Sequence, residues 1–386
     1  MRDTLSAADG YQALMSQLPL PLHRKAQRQG GISLPPDTVV VSADNHWSLT
    51  EDIFHQRFPR RLKHKAPRLK LNSDGLCEWS IEGASIFPPA ISKIIQTYDA
   101  LPGCVNLAAR LRDLDTEGIQ KEIVFGNAIG AFYAYPDLEV RDWVFRIYNQ
   151  HLAELQAQAP GRFYGVGLVN YWDMASVRQS MEEVRRLGLK TYLLPIYPKG
   201  RDGEVLNYCS PQMAPLWQAA EDVGLPLCFH VGENFHEGPG GVGVTVMTNF
   251  GPFRKNLGEL IFGGIFDRHP TLQVVFAEAD INWVPGALQS AAVIYHTFRG
   301  ILDPEIQRHP SEYWKTHCFV TFMHDPVGLD WLDIVGADRV MWSSDYPHQE
   351  STFGATWSAM RDVVETVGAD RARDILGGTA RKLFGI

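Results

Sequence analysis

The stretch 39-VVVSADNHWSL-49 sets the reading of the whole chain. It opens on apolar, β-branched residues, the mark of a strand covered on both faces. It then reaches Asp44 and His46, which are two apart and so project from the same side of a strand. A carboxylate and an imidazole placed together at a strand end can hold one divalent ion.

Seven further runs of the same kind follow: KEIVFG (121–126), FYGVGLV (163–169), KTYLLP (190–195), LPLCFH (225–230), LQVVFAE (272–278), CFVTF (318–322) and RVMWSS (339–344), after the first at TVVVSA (38–43). Helical patterns lie between them. The segment 173–188 starts at a capping Asp173 and ends at Gly188, with Val177, Met181 and Val184 on one face. The segments 210–224 and 325–337 read alike, each with Gly near its end. Eight strand–helix units predict an α/β chain closed into a (β/α)8 TIM barrel. A doubly wound open sheet is the alternative. It calls for a G-x-G-x-x-G after a strand, and the sequence has none.

The expected organisation is an N-terminal arm over 1–37 and a barrel over 38–386. Residues 45–109 are too long for a βα loop and are read as an insertion after the first strand. They carry Trp79, Pro88, Pro89 and Pro102, and are expected to form a lid or a subunit contact. The glycine-rich segment 231–256 follows the fifth strand. Both lie on the C-terminal side of the strands, where barrel active sites form.

Composition narrows the function classes. The chain has 386 residues, 45% hydrophobic, and a net charge of −8, which argues against nucleic-acid and anionic-membrane partners. No apolar run reaches spanning length. The N-terminal stretch lacks the apolar core and cleavage site of a signal peptide. The five cysteines (Cys77, Cys104, Cys209, Cys228, Cys318) form no C-x-x-C, so a reducing, cytoplasmic setting is expected.

Polar residues then collect at the strand ends. They are Asp44 and His46, His230 and Glu233, Glu278 and Asp280, His324 and Asp325, and Asp345 and His348. Singly, each has an ordinary reading. A strand-end His is usually a hydrogen-bonded structural residue, Asp345 before Tyr-Pro suits a turn, and Glu278 suits a helix cap. His236 and His324 are evenly balanced between loop residues and outer partners of a site. Five strands delivering such groups to one rim point to one site. Imidazole and carboxylate donors without thiolate suit a borderline or hard divalent metal.

With these residues collected, the sequence resembles the amidohydrolase superfamily, in its amidohydrolase-related, aminocarboxymuconate-semialdehyde-decarboxylase-like branch. The resemblance runs through SADNHWSLTEDIF, RLRDLDTEGIQKEIVF, LVNYWDMASVRQSMEEVRRLGLKTYLLP, PLCFHVGE, VVFAEADINWVPGAL, RVMWSSDYPHQEST and ILGGTARKLFGI, covering about residues 38 to 386. It implies a metal held by Asp44, His46 and His230, with Asp345 as ligand and proton-transfer base. The sixth-strand position, often His in the decarboxylases, is Glu278 here, an expected ligand; this departure points toward hydrolase-like or iron- and manganese-using subgroups. Many relatives place a Glu soon after the Asp-x-His pair, where this chain has Ser48 and Leu49, with Glu51 further on. The fourth strand ends without lysine, so no carbamylated-lysine bridge is expected. The site is mononuclear, binuclear using Glu278 and His348, or partly degenerate.

The leading expectation is a metal-dependent hydrolase acting on a C–N, C–O or C–S acyl bond of a small, largely apolar molecule, with zinc, iron or manganese, one or two ions per chain. The ion activates a water. Asp345 takes its proton, with His348 and Glu233 as further catalytic groups, and His348, His324 or His236 steadies the oxyanion. Trp47 and Trp283 are expected beside the substrate. The rivals are non-oxidative decarboxylation, an iron-dependent oxidation, and a silent subunit that supports an active paralogue. The chain is expected to form a homo-oligomer, or a hetero-oligomer with such a paralogue.

Overall fold

Every apolar run of the sequence becomes a strand in the computed structural model, which describes residues 33–87 and 101–386. Most of the arm, and Pro88 and Pro89, lie outside the described residues. The strands are β1 (Val41–Trp47), β5 (Lys121–Gly126), β6 (Phe163–Leu168), β7 (Thr191–Leu193), β8 (Leu227–His230), β9 (Val274–Ala277), β10 (Cys318–Phe322) and β11 (Val340–Trp342). All pair in parallel, in the order β1-β5-β6-β7-β8-β9-β10-β11. Their side chains are almost wholly buried, as apolar strands covered on both faces require.

The chain leaving β11 closes the ring onto β1. Asp345 N donates to Asp44 O (2.9 Å) and His46 N donates to Tyr346 O (2.7 Å). Ser344 N donates to Ser42 Oγ (2.7 Å) and Tyr346 N to Asn45 Oδ1 (3.0 Å). These bonds explain one departure from the sequence reading. β1 does not stop at Ala43 but runs through the Asp-x-His pair to Trp47, because its backbone is paired on both sides there. The β1–β5 register also slips between Ser42 and Asn45, a bulge at Asp44 that re-aims its side chain.

The helix expected over 173–188 spans Val177–Arg186 and buries Val177, Met181 and Val184. The insertion begins after Trp47. It holds a helix, Glu51–Arg57, and an antiparallel sheet of β2 (Arg68–Leu71), β3 (Cys77–Ile81) and β4 (Ala84–Ser85). The helix Leu107–Glu117 starts inside the expected 45–109 span. Trp79 of the insertion packs on Phe54 and Phe132, so this small sheet braces the segment that leaves β5. Among the described residues no helix is long and apolar enough to cross a membrane.

Candidate active site

Asp44 and His46 enter the barrel mouth from β1, His230 from the end of β8, Glu278 just after β9, and Asp345 three residues after β11. His46 Nε2 lies 3.5 Å from Asp44 Oδ1 and 3.1 Å from Asp345 Oδ1. His230 Nε2 lies 3.4 Å from both Asp44 Oδ1 and Glu278 Oε2. Asp44 Oδ1, His46 Nε2, His230 Nε2 and Asp345 Oδ1 are all buried and all lack a hydrogen-bond partner. Unpaired polar atoms are rare in an interior and costly. Four that converge on one point fit a cation that binds them all. Two overlapping groups meet the spacing, Asp44–His46–His230 and His46–Glu278–Asp345–His348, with donor atoms within 4.8 Å of one another.

The surroundings prepare this set. His230 Nδ1 faces the Val231 carbonyl at 2.9 Å, which leaves Nε2 as the lone-pair donor. Burial, with the neighbouring His348, His230 and Arg110, holds His46 well below its ordinary range, so it is a neutral imidazole fit to ligate. Thr321 Oγ1 ties the set from below, donating to Asp44 Oδ2 (3.4 Å) and accepting from Glu278 N (2.8 Å). Burial and then the charges of Asp345, Glu350, Asp44 and Asp280 push Glu278 well above its usual range. A crowd of carboxylates that suppress one another's ionisation is what a bound cation relieves.

His348 differs from the two other histidines. Its Nδ1 faces Asp345 Oδ2 (3.1 Å) and its Nε2 faces Asn127 Oδ1 (2.8 Å), while Asn127 Nδ2 donates to Ser48 Oγ (2.8 Å). Burial alone lowers its pKa, but the Asp345 carboxylate and their hydrogen bond outweigh that and push it up to about 9. Burial in turn raises Asp345. The pair is thus a buried proton store, with one carboxylate oxygen in the cation set and the other on the imidazole. Glu278, Asp280 and Asp345 all have left-handed backbones (φ 50°, 53° and 59°), a strain that clusters at functional sites.

The set opens into a cavity that is continuous with solvent. Phe125, Ile129, Leu193, Phe235 and Val246 give it apolar walls, and Tyr133, Glu233 and Glu350 add polar groups. Most of its described lining comes from the segments after β5 and β8, joined by His46, Leu193, Glu278, His348 and Glu350; of the described residues in 45–109, where a lid or subunit contact was expected, His46 alone lines it.

A family model described as Amidohydrolase matches residues 122–386. The chain belongs to the amidohydrolase family. Among curated relatives of this amidohydrolase, 2-amino-3-carboxymuconate-6-semialdehyde decarboxylase of Dictyostelium discoideum is 25% identical over 295 residues, 73% of this chain and 77% of its own. Gamma-resorcylate decarboxylase of Rhizobium radiobacter is 26% identical over 293 residues, 71% of this chain and 86% of its own. Two solved structures share the fold. An amidohydrolase from Mycobacterium avium subsp. paratuberculosis superposes with a TM-score of 0.72 at 17% identity, covering 91% of this chain and 98% of that one. A dihydroxybenzoic acid decarboxylase from a Polaromonas species, with bound manganese and the inhibitor 2-nitroresorcinol, gives 0.64 at 18% identity, covering 90% and 97%. These relatives overturn the expected hydrolase function: both curated ones are decarboxylases. The reason is chemical. A cation among imidazoles and carboxylates serves either reaction, so the ligand set alone could not separate them.

Not every expected residue reaches the amidohydrolase site. Trp47 faces outward, donating from Nε1 to His151 Nε2 (3.2 Å) beneath the Arg110 guanidinium, because residues alternate along a strand and His46 faces in. Trp283 is core, tilted against Phe253 and edge-on to Phe276 and Trp314. His324 is exposed, 3.8 Å from Asp362. His236 lies just behind the wall, its N–H bonded to Thr245 Oγ1 (2.8 Å). Glu233 lines the cavity, but its oxygens accept from Ile196 N (2.6 Å) and Tyr197 N (3.0 Å). Asp325 accepts from Ile281 N, Asn282 N and Gly328 N, which pins two loops together. Glu51 accepts from Leu69 N in the insertion and supplies nothing to the site. Asn127, Tyr133 and Glu350 were not singled out from sequence. Asn127 and Glu350 sit on irregular segments and Tyr133 on a short 3-10 helix, Ile129–Ala134, none with a periodic signal.

Proposed function

We propose that this amidohydrolase is a metal-dependent, non-oxidative decarboxylase of a small aromatic hydroxy acid. The observation that carries the reading is the group of four unpaired donor atoms, of Asp44, His46, His230 and Asp345, beneath an apolar-walled cavity. The decarboxylase relatives support the reaction class. Three carboxylates, two imidazoles and no thiolate favour manganese over softer metals, in keeping with the manganese in the Polaromonas enzyme. One ion per chain is favoured. The two candidate groups share His46, and both nitrogens of His348 already face acceptors.

When bound, the ion supplies positive charge that neutralises and orients the substrate carboxylate and its neighbouring ring oxygen. The residues do the rest. Phe125, Ile129 and Leu193 flank the ring and exclude water. Asp345, protonated from His348, delivers the proton to the ring carbon that bears the carboxylate. The bond from that carbon to the carboxylate breaks, its electron pair restores the aromatic ring, and carbon dioxide leaves with both carboxylate oxygens. His348 reloads Asp345 and regains its own proton from solvent through the cavity it lines, so each turnover consumes one proton and no oxidant. Glu278, 3.4 Å from His230 Nε2, adds a third carboxylate to the set that would hold the ion.

The test is carbon dioxide release from mono- and dihydroxybenzoates by the manganese-loaded enzyme, without oxygen. Release with equimolar phenolic product is expected. No release from any member of that panel at full metal occupancy overturns the reading.

A further inference from the structure

The cation donors come from β1, β8, the exit of β9 and the turn after β11. The arc from β5 to β7 supplies none of them, yet it walls the cavity with residues 125–131, Tyr133 and Leu193. On that arc Tyr133 is 4% exposed, and its hydroxyl is buried with no hydrogen-bond partner. Its ring is held by Phe145 and Tyr171, with centroids at 6.0 and 6.3 Å, and its carbonyl accepts from the Tyr171 hydroxyl (2.8 Å). The hydroxyl is therefore rigidly placed. Burial, then the nearby Glu233 charge, keeps it protonated, a donor only in need of an acceptor. Glu233 lines the same cavity and is equally fixed by its two backbone N–H partners. A buried hydroxyl left unpaired weakens a fold, and such a group on a cavity wall is explained by a ligand that pairs it.

We infer that Tyr133 and Glu233 form a recognition subsite for a hydroxyl group on the substrate ring, away from the carboxylate that faces the metal. The ligand's oxygen accepts from Tyr133, and its hydrogen is donated to Glu233. The assignment rests on the aromatic-acid reading above, and it narrows the substrate class to acids with a second, remote hydroxyl. It gives Glu233 a binding role in place of the catalytic one expected from sequence.

The test compares manganese-loaded wild type with Tyr133→Phe by calorimetric titration. The ligands are 2-hydroxybenzoate, 2,4- and 2,5-dihydroxybenzoate, and resorcinol. At least one dihydroxybenzoate should bind wild type roughly tenfold tighter than 2-hydroxybenzoate. Tyr133→Phe should erase that advantage and weaken resorcinol, while 2-hydroxybenzoate affinity, metal content and Tm stay unchanged. The hydroxyl has no hydrogen-bond partner in the protein, so its removal breaks no protein hydrogen bond. An advantage that is absent from wild type, or that survives in the variant, overturns the subsite. So does an equal loss for all the benzoates with a lowered Tm, which marks a structural role. If no benzoate binds wild type, the aromatic-acid reading fails, and resorcinol then decides the subsite by itself. Weaker resorcinol binding in the variant upholds it, and equal or absent binding overturns it.

Discussion

Asn45 and His46 are neighbours on β1, and they face two buried polar clusters of opposite character. On the outer side, Asn45 Nδ2 donates to Glu122 Oε2 (2.7 Å), and Arg110 grips both Glu122 oxygens (2.8 and 2.7 Å) and the His46 carbonyl (2.7 Å). No atom of that cluster lacks a partner. On the inner side, Asp44, His46, His230 and Asp345 each present a buried atom with none. Both clusters are equally inaccessible, so burial does not tell them apart; satisfaction does. The first is a finished piece of structure that clamps the strand carrying the ligands. The second has the donors and spacing to hold a cation, as proposed above. A bidentate, fully bonded pair holds geometry, whereas unpaired donors store a binding demand.

The largest effect should follow from breaking the finished cluster. Arg110→Met leaves the Glu122 charge buried with the Asn45 amide but without its cation, at a cost of about 3–5 kcal/mol. Chemical denaturation should show that loss with or without metal. A metal-dependent loss would merge the two clusters. Next comes Glu233, whose carboxyl burial pushes up to about 7, against the pull of two backbone N–H groups. Its folded pKa is raised, so its stabilisation is full below the unfolded value of about 4.5 and fades as pH rises to 7, a swing on the order of 3 kcal/mol. Glu233→Gln should flatten the pH–stability curve across that window, beside a constant offset for the acceptor it loses. An unchanged slope contradicts this. Asp345→Asn keeps shape and an acceptor but cannot carry the proton, so turnover should fall about a hundredfold or more while folding and much of the metal survive. Near-native turnover of the loaded variant would remove Asp345 from the chemistry. The smallest change is Gly130→Ala. A Cβ there meets the Gly232 carbonyl at 3.2 Å, where the β5 and β8 exit loops touch. A few tenths of an ångström of loop movement should alter substrate affinity severalfold and leave metal content alone.

The sequence made the barrel legible because its parallel strands, covered on both faces, read as unbroken apolar runs. The candidate cation set was legible because His230, Glu278 and Asp345 fall where those runs stop. Trp47 was misplaced for a reason already present in the period of a strand: its neighbour His46 points inward, so it points out. Glu122 carried an unread signal. A lone carboxylate inside KEIVFG demands a buried partner, and Arg110 is that partner. Asn127, Tyr133 and Glu350 had no such signal, because their positions depend on the path the chain takes between the regular elements of the barrel. The reaction was illegible for a different reason, since one donor set suits both a carboxylate substrate and a water nucleophile.

The central claim is that the unpaired inner cluster is a metal site and not a strained core. The most direct test is metal content and thermal unfolding of wild type and His46→Ala, each purified apo and reloaded with manganese. Wild type should take up one ion per chain and gain several degrees in Tm. His46→Ala should bind little metal, show no such gain, and in its apo form melt within a few degrees of apo wild type, because the imidazole it loses satisfied nothing. Equal metal content in the two proteins, or an apo variant that unfolds as severely as Arg110→Met, would contradict the account.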